Sequence, residues 1–72
     1  MIRLDELARY ENMDQEVLIV CNDGQRIIGM PGEVDDEEES GLGEPGITVY
    51  FREGGIVGIG ISEIRSISYA SA

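Results

Sequence analysis

The side chains able to do chemistry in this sequence are nearly all carboxylates. Of 72 residues, 15 are Asp or Glu and five are Arg, with no His, so the formal net charge is −10. Seven of the acids and none of the bases lie between positions 33 and 44, so the rest of the chain has eight acids against five arginines, a charge of −3. The sequence therefore predicts an acidic interaction loop, whose candidate members are Glu33, Asp35, Asp36, Glu37, Glu38 and Glu39.

Carboxylate oxygens are also the ligands that Ca²⁺ and Mg²⁺ prefer. Alternate positions from Asp35 are acidic at Glu37 and Glu39, but Ser40 stands where an EF-hand loop requires glycine. We expect a solvated loop kept open by mutual repulsion, with weak divalent binding as the alternative. No metal ligand or cofactor is assigned, and without His or a second Cys the chain lacks an ordinary zinc ligand set.

The chain has few residues suited to nucleophilic catalysis. Cys21 is the one thiol, and with no His and no Lys in the chain it has no usual activating base, so we expect a buried apolar side chain. Positions 41–46 match G-x-G-x-x-G by letter, but an acidic run precedes them and a predicted strand follows, whereas a dinucleotide site needs a helix there. We predict that the protein is not an enzyme.

The charge balance also restricts partners. Nucleic-acid binding rests on basic groups that neutralise phosphates, and anionic lipid repels an acidic surface in the same way, so both are disfavoured. A protein with a basic surface fits better. No apolar run approaches the ~20 residues of a membrane span, and Asp5 and Glu6 occupy the place of a signal-peptide core. We expect a cytoplasmic location, which a single cysteine also fits.

Five β-branched segments separated by glycine and acidic residues must position these groups. They predict strands at about 16–22, 25–34, 47–52, 56–61 and 64–69, after a helix at about 2–11 and around an acidic loop at 35–46. Asp23-Gly24 predicts a tight hairpin turn, and Pro31 beside two glycines predicts a bend in the second strand. The expected fold is one domain, residues 1–72: a mainly β, five-stranded, strongly bent antiparallel Sm-like or SH3-like barrel behind a short N-terminal helix.

The arrangement resembles the Sm-like (LSM) domain over nearly the whole chain. Its first portion is 17–49, with Asp23-Gly24 at the turn, Gly29 in the bent strand and Asp35 six residues later; its second is 56–67. The chain also resembles small Sm-like proteins of Gram-positive bacteria, which close on a segment like 62–67, here SEIRSI.

The resemblance implies RNA binding within a homo-oligomeric ring, but the residues for RNA do not match. The family's asparagine position falls on Glu39, and its arginine-glycine pair falls on Gly60 and Ile61. A uridine site is therefore not expected. An RNA role through Arg3 and Arg9 of the predicted helix is the alternative.

Ring assembly is separable from RNA binding. The resemblance implies that a ring forms when strand four of one copy pairs with strand five of the next. We expect a homo-oligomer or protein-binding domain, since a chain this small gains stability by association. A nucleic-acid mimic fits less well, because its acids would be spread at phosphate spacing instead of clustered. The candidate oligomer edge comprises Ile56, Ile59, Ile61, Ile64 and Ile67.

Overall fold

The computed structural model describes residues 1–70; positions 71–72 of the predicted domain lie outside the described residues. It is a mainly β structure with one short α-helix and one antiparallel sheet of five strands. The helix is α1 (Leu4–Ala8), and the strands are β1 (Val17–Cys21), β2 (Arg26–Asp35), β3 (Gly46–Tyr50), β4 (Ile56–Gly60) and β5 (Ile64–Tyr69). A 3₁₀ turn, Ile61–Glu63, joins β4 to β5.

Helix α1 is shorter than the predicted 2–11. After Ala8 the backbone bonds reach back three residues instead of four, as when the Tyr10 amide donates to Leu7 O at 3.1 Å. Asn12 then takes a positive φ of 53°, which ends any helical path, and its amide donates to Gly32 O of β2. The helix docks on the sheet, because Leu7 is fully buried in the main core.

The hairpin between β1 and β2 forms at Asp23-Gly24, as predicted. Gly24 has a φ of 90°, which glycine adopts at no steric cost, and its amide donates to Cys21 O at 2.9 Å. Beyond the turn, β1 and β2 pair antiparallel from Val20 opposite Arg26 to Val17 opposite Gly29.

Strand β2 bends where its pairing partner changes. Its first half pairs with β1, and its second half pairs with β3 from Met30 opposite Tyr50 to Asp35 opposite Gly46. The register shifts between Pro31 and Val34, so the predicted bend is a bulge. Strand β2 also ends at Asp35, so Glu33 and Asp35 belong to the strand and the acidic loop proper begins at Asp36.

The sheet is open. Its order is β4-β3-β2-β1-β5, so within residues 1–70 β4 pairs only with β3 and β5 only with β1. The predicted barrel therefore does not close by hydrogen bonds within these 70 residues. The short turn after Gly60 is the reason, because it sends β5 across to β1 instead of back along β4. Strand β3 also ends earlier than predicted, at Tyr50, and β4 ends at Gly60.

One apolar cluster holds the helix and the strands together. It is built from β-branched residues that alternate along the strands, as in the fully buried Val17 and Ile19 of β1. No helix in residues 1–70 has the length and apolar character to cross a membrane. The cluster comprises Ile2, Leu7, Val17, Ile19, Cys21, Ile47, Val49, Ile59, Ile61 and Ile64.

We predict that Gly29→Ala destabilises the fold. A Cβ at position 29 would lie 2.6 Å from the backbone oxygen of Tyr50 and 2.7 Å from Val49 Cγ1, and the backbone of a paired strand cannot move aside cheaply. We expect a loss of about 1–3 kcal/mol in the free energy of unfolding, measured by urea denaturation. Ser66→Ala, on the exposed side of β5, is the control and should change it by less than about 0.5 kcal/mol. Equal stability of the Gly29→Ala variant and the parent would contradict this packing.

Candidate functional site

Two free edges and one acidic loop are the surfaces where this fold can act. Strands β4 and β5 lie at opposite ends of the strand order, so each presents unpaired backbone groups along one side. Strand β4 has the sequence IVGIG, without charge, proline or bulge, which are the features that normally protect an edge. Strand β5 carries Arg65, and its pairing with β1 is irregular at Val20/Cys21.

The five isoleucines predicted at the oligomer edge divide between core and surface. Ile59, Ile61 and Ile64 are at most 9% exposed and belong to the core cluster, and Ile61 lies in the 3₁₀ turn and not in a strand. Ile67 is half-buried against that cluster. Ile56 is 63% exposed, so of the five it is the side chain that a partner can reach.

A cleft of about 430 Å³ opens beside β4, toward the β1–β2 turn. Its floor is apolar and its rim is polar. A sheet that does not close leaves this space between β4 and the hairpin, so the cleft follows from the open edge. The apolar lining is Cys21, Ile27, Val57 and Ile59, and the polar rim is Asn22, Asp23, Gln25, Ser62 and Glu63.

Cys21 behaves as the sequence predicts, as a small buried side chain. It is 8% exposed. Burial, and then the nearby charges of Asp23 and Glu63, raise the pKa of the thiol above its ordinary value of 9.0. The thiol therefore stays protonated at neutral pH and is a poor nucleophile.

The first half of the acidic loop folds on its own backbone. Asp36 Oδ1 accepts hydrogen bonds from the amides of Glu38 and Glu39 at 3.0 and 2.9 Å, and the Ser40 amide donates to Asp36 O at 3.0 Å. This turn directs Glu37, Glu38 and Glu39 into solvent, where all three are exposed. Within residues 1–70 no group of three or more His, Cys, Asp or Glu side chains has a metal-binding arrangement.

The second half of the loop is fastened to the corner between β4 and β5. Glu44 Oε1 accepts from the Ser62 amide at 3.0 Å, Glu44 Oε2 accepts from Ser62 Oγ at 2.7 Å, and Pro45 O accepts from the Ile61 amide. Leu42 covers the outer side of β4, with a methyl carbon 3.7 Å from the position of a Cβ on Gly58. We refer to the Glu44–Ser62 contacts as the corner latch.

The corner latch lies beside Gly60, one of the two positions at which the resemblance would place an arginine-glycine pair. The Glu44 carboxylate lies directly against Gly60, so closely that a Cβ there would overlap it. The Gly60 amide donates to Glu63 Oε2 at 3.1 Å, which brings a second carboxylate to the same corner. Ile61 points into the core. This corner is therefore anionic, because the carboxylates of Glu44 and Glu63 both lie beside Gly60.

Sequence reasoning missed the corner latch. Glu44 lies in the charge run that predicts a solvated loop, and Ser62 falls between the fourth and fifth predicted strands. The two residues are 18 positions apart, and no periodicity links them. Pro45-Gly46 after Glu44 was the one local sign that the loop returns to the sheet there.

Comparisons of the chain with protein-family models, curated proteins and solved structures found no match. The free edges, the acidic loop and the charges described above are therefore the features that bear on function.

We predict that Glu44→Ala destabilises the protein whereas Glu37→Ala does not. Removing the Glu44 carboxylate leaves the Ser62 amide and hydroxyl without their acceptor, which we expect to cost about 1–2 kcal/mol in the free energy of unfolding. Glu37 is exposed on the same loop, and its removal should change stability by less than about 0.5 kcal/mol. Urea denaturation compares the two variants, which have the same net charge. Equal midpoints would show that the latch does not contribute.

Proposed function

We propose that this protein is a small, non-enzymatic Sm-like assembly domain whose copies join by pairing β4 of one copy with β5 of the next. The observation that carries the proposal is the uncharged edge of β4 before Gly60, in a sheet whose other end, β5, also pairs with one strand only within residues 1–70. The strand order β4-β3-β2-β1-β5, the bent second strand and the preceding helix support the Sm-like assignment.

Size favours association as well. A domain of 72 residues buries a modest core, and pairing β4 with β5 of a neighbour would satisfy backbone groups that the single chain leaves open. The cleft beside β4 gives the same edge an apolar wall, with Val57 and Ile59 on one side and Ile27 on the other. A neighbouring strand laid along β4 would cover this wall as well as Ile56.

The pairing we propose is heterologous, because it joins two different edges. Each added copy leaves one β4 and one β5 free, so the series ends only when it closes into a ring. A dimer through β4 alone would instead be symmetric and would leave both β5 edges bare. The mass in solution therefore distinguishes the two arrangements.

We expect native mass by size-exclusion chromatography with light scattering to be at least three times the 7.9 kDa of the chain. Because each copy has a net charge of −10, salt screens their repulsion, and association should strengthen between about 0.05 and 0.3 M NaCl. The variant Ile56→Lys places a charge on the exposed side of β4 and should reduce the mass to that of one chain.

Ile28→Lys is the matched control, because Ile28 is 52% exposed but lies on β2, in the middle of the sheet. It should assemble like the parent. A parent protein that stays monomeric at tens of micromolar would overturn the proposal, and a dimer would overturn the β4–β5 pairing. If the β4 variant and Ile28→Lys reduced the native mass equally, that result would also contradict assembly through the β4 edge.

RNA binding, which the family resemblance implies, is not the function we propose. Uridine recognition in that family needs an amide and a cation, and the corresponding positions here carry Glu39 and the anionic corner beside Gly60. On the helix side, Arg3 is paired with Asp5 at 3.1 Å. We expect no retardation of labelled oligo(U) or oligo(A) by the protein at 0.05 M NaCl. A shift that survives at 0.15 M NaCl and is lost in Arg3→Gln/Arg9→Gln would instead favour the RNA role.

A further inference from the structure

Helix α1 carries one apolar stripe, formed by residues three and four positions apart, and only part of it is covered. Leu7, fully buried, lies in the main core beside Ile2, which is 7% exposed. Leu4, which is 43% exposed, and Ala8, which is also exposed, form the edge of the stripe that the core does not cover.

This exposed edge of α1 lines a groove of about 310 Å³ between α1 and the end of β2. Leu4, Ala8 and Val34 give the groove an apolar floor. The groove is held in shape by Glu11, whose Oε2 accepts from the Val34 amide at 2.9 Å. Every other side chain that lines it is a carboxylate, and the acidic set is Glu11, Asp35, Asp36 and Glu39.

No ion pair within residues 1–70 includes these carboxylates. The two ion pairs there are Arg3–Asp5 and Arg52–Glu16, and neither includes a groove residue. Glu33, Glu37 and Glu38 extend the same negative field beside the groove. An apolar floor enclosed by carboxylates outside these ion pairs favours an occupant that brings both an apolar side chain and positive charge.

A second copy of this chain does not meet that requirement. Each copy carries −10 and has no lysine. It uses Arg3 and Arg52 in its own ion pairs, so Arg9 and Arg26 are the two exposed arginines it could offer, against 15 acids. Arg65 donates to the backbone oxygen of Asn22, at the β1–β2 turn. The acidic groove of one copy would therefore contact a mainly acidic surface on the next copy. The charge points to a different chain with a basic surface.

We propose that the α1 groove binds a basic, amphipathic segment of a partner protein. One apolar side chain of that segment would pack on Leu4, Ala8 and Val34, and Lys or Arg side chains beside it would pair with Asp35 and Glu39. The inference rests on the proposed role as an interaction domain, but it uses a surface distinct from the β4 and β5 edges.

The test uses the full chain and a labelled synthetic peptide of Leu and Lys arranged at helical spacing, with binding followed by fluorescence anisotropy. A peptide of the same composition in an order without an apolar face is the first control, and a Leu/Glu peptide is the second. We expect the amphipathic Leu/Lys peptide to bind at least about fivefold more tightly than the reordered one, with affinity falling as NaCl rises. Equal binding of both basic peptides would overturn the proposal, because it would show charge attraction without the groove.

Matched variants then locate the site. Asp35→Asn/Glu39→Gln removes two groove charges, and Asp14→Asn/Glu53→Gln removes two exposed charges elsewhere. The groove pair should weaken binding by about fivefold or more, and the distant pair by less than about twofold. Leu4→Ser tests the floor against Ile28→Ser, since both side chains are about half exposed and neither belongs to the core. Equal losses within each matched pair would overturn the proposal.

Native mass is measured on the same samples, so that the two proposals can fail separately. Assembly without peptide binding overturns the groove proposal alone. Peptide binding by a monomer supports the groove and overturns the assembly. Urea midpoints of all variants confirm that each is folded under the binding conditions, and Leu4→Ser, at an exposed position, provides a second route if the Asp35 change in β2 affects folding.

Discussion

The bend in β2 is the constraint on which the rest of this structure depends. One ten-residue strand pairs with β1 along its first half and with β3 along its second, and the bulge between Pro31 and Val34 lets it turn between them. A side chain at Gly29 would collide with the backbone of Tyr50, so the close contact of β2 with β3 requires glycine there. A straight β2 would leave a flat sheet whose two halves could not enclose the common core.

The same bend places the β4 and β5 edges and the α1 groove at different parts of the molecule. Because β2 is central, its neighbours lead outward to β4 on one side and β5 on the other, and both edges remain free. The end of β2 brings Val34 and Asp35 beside α1, where the Asn12 amide bonds to Gly32 O. The corner latch then holds the rest of the loop near β4, so the exposed acids at 37–39 stay beside the groove while Glu44 does not.

Local sequence signals predicted the strands. Contacts between residues far apart in the sequence determined where the helix ends, whether the sheet closes and where the groove lies. β-Branched segments gave all five strands, with 64–69 matching β5 at both ends, and Asp23-Gly24 gave the first hairpin. The helix was overextended because periodicity could not anticipate the bond from Asn12 to Gly32. Barrel closure depended on where the turn after Gly60 sends β5, which composition does not encode. The groove was missed because Leu4 and Asp35 are far apart in sequence, and each has an ordinary local explanation, as a helix residue and as part of a charge run.

Charge couples the two proposed surfaces. A net charge of −10 per copy opposes assembly, since it brings like charges together, whereas it attracts a basic segment to the α1 groove. A bound segment carrying several lysines or arginines would cancel part of that charge and lower the electrostatic cost of joining a second copy. Linkage requires the reverse effect by the same factor, so an assembled array, with its concentrated negative field, would bind the basic segment more tightly than one chain does. Salt weakens one interaction and strengthens the other, so their coupling should be largest at low ionic strength, where repulsion between copies is least screened.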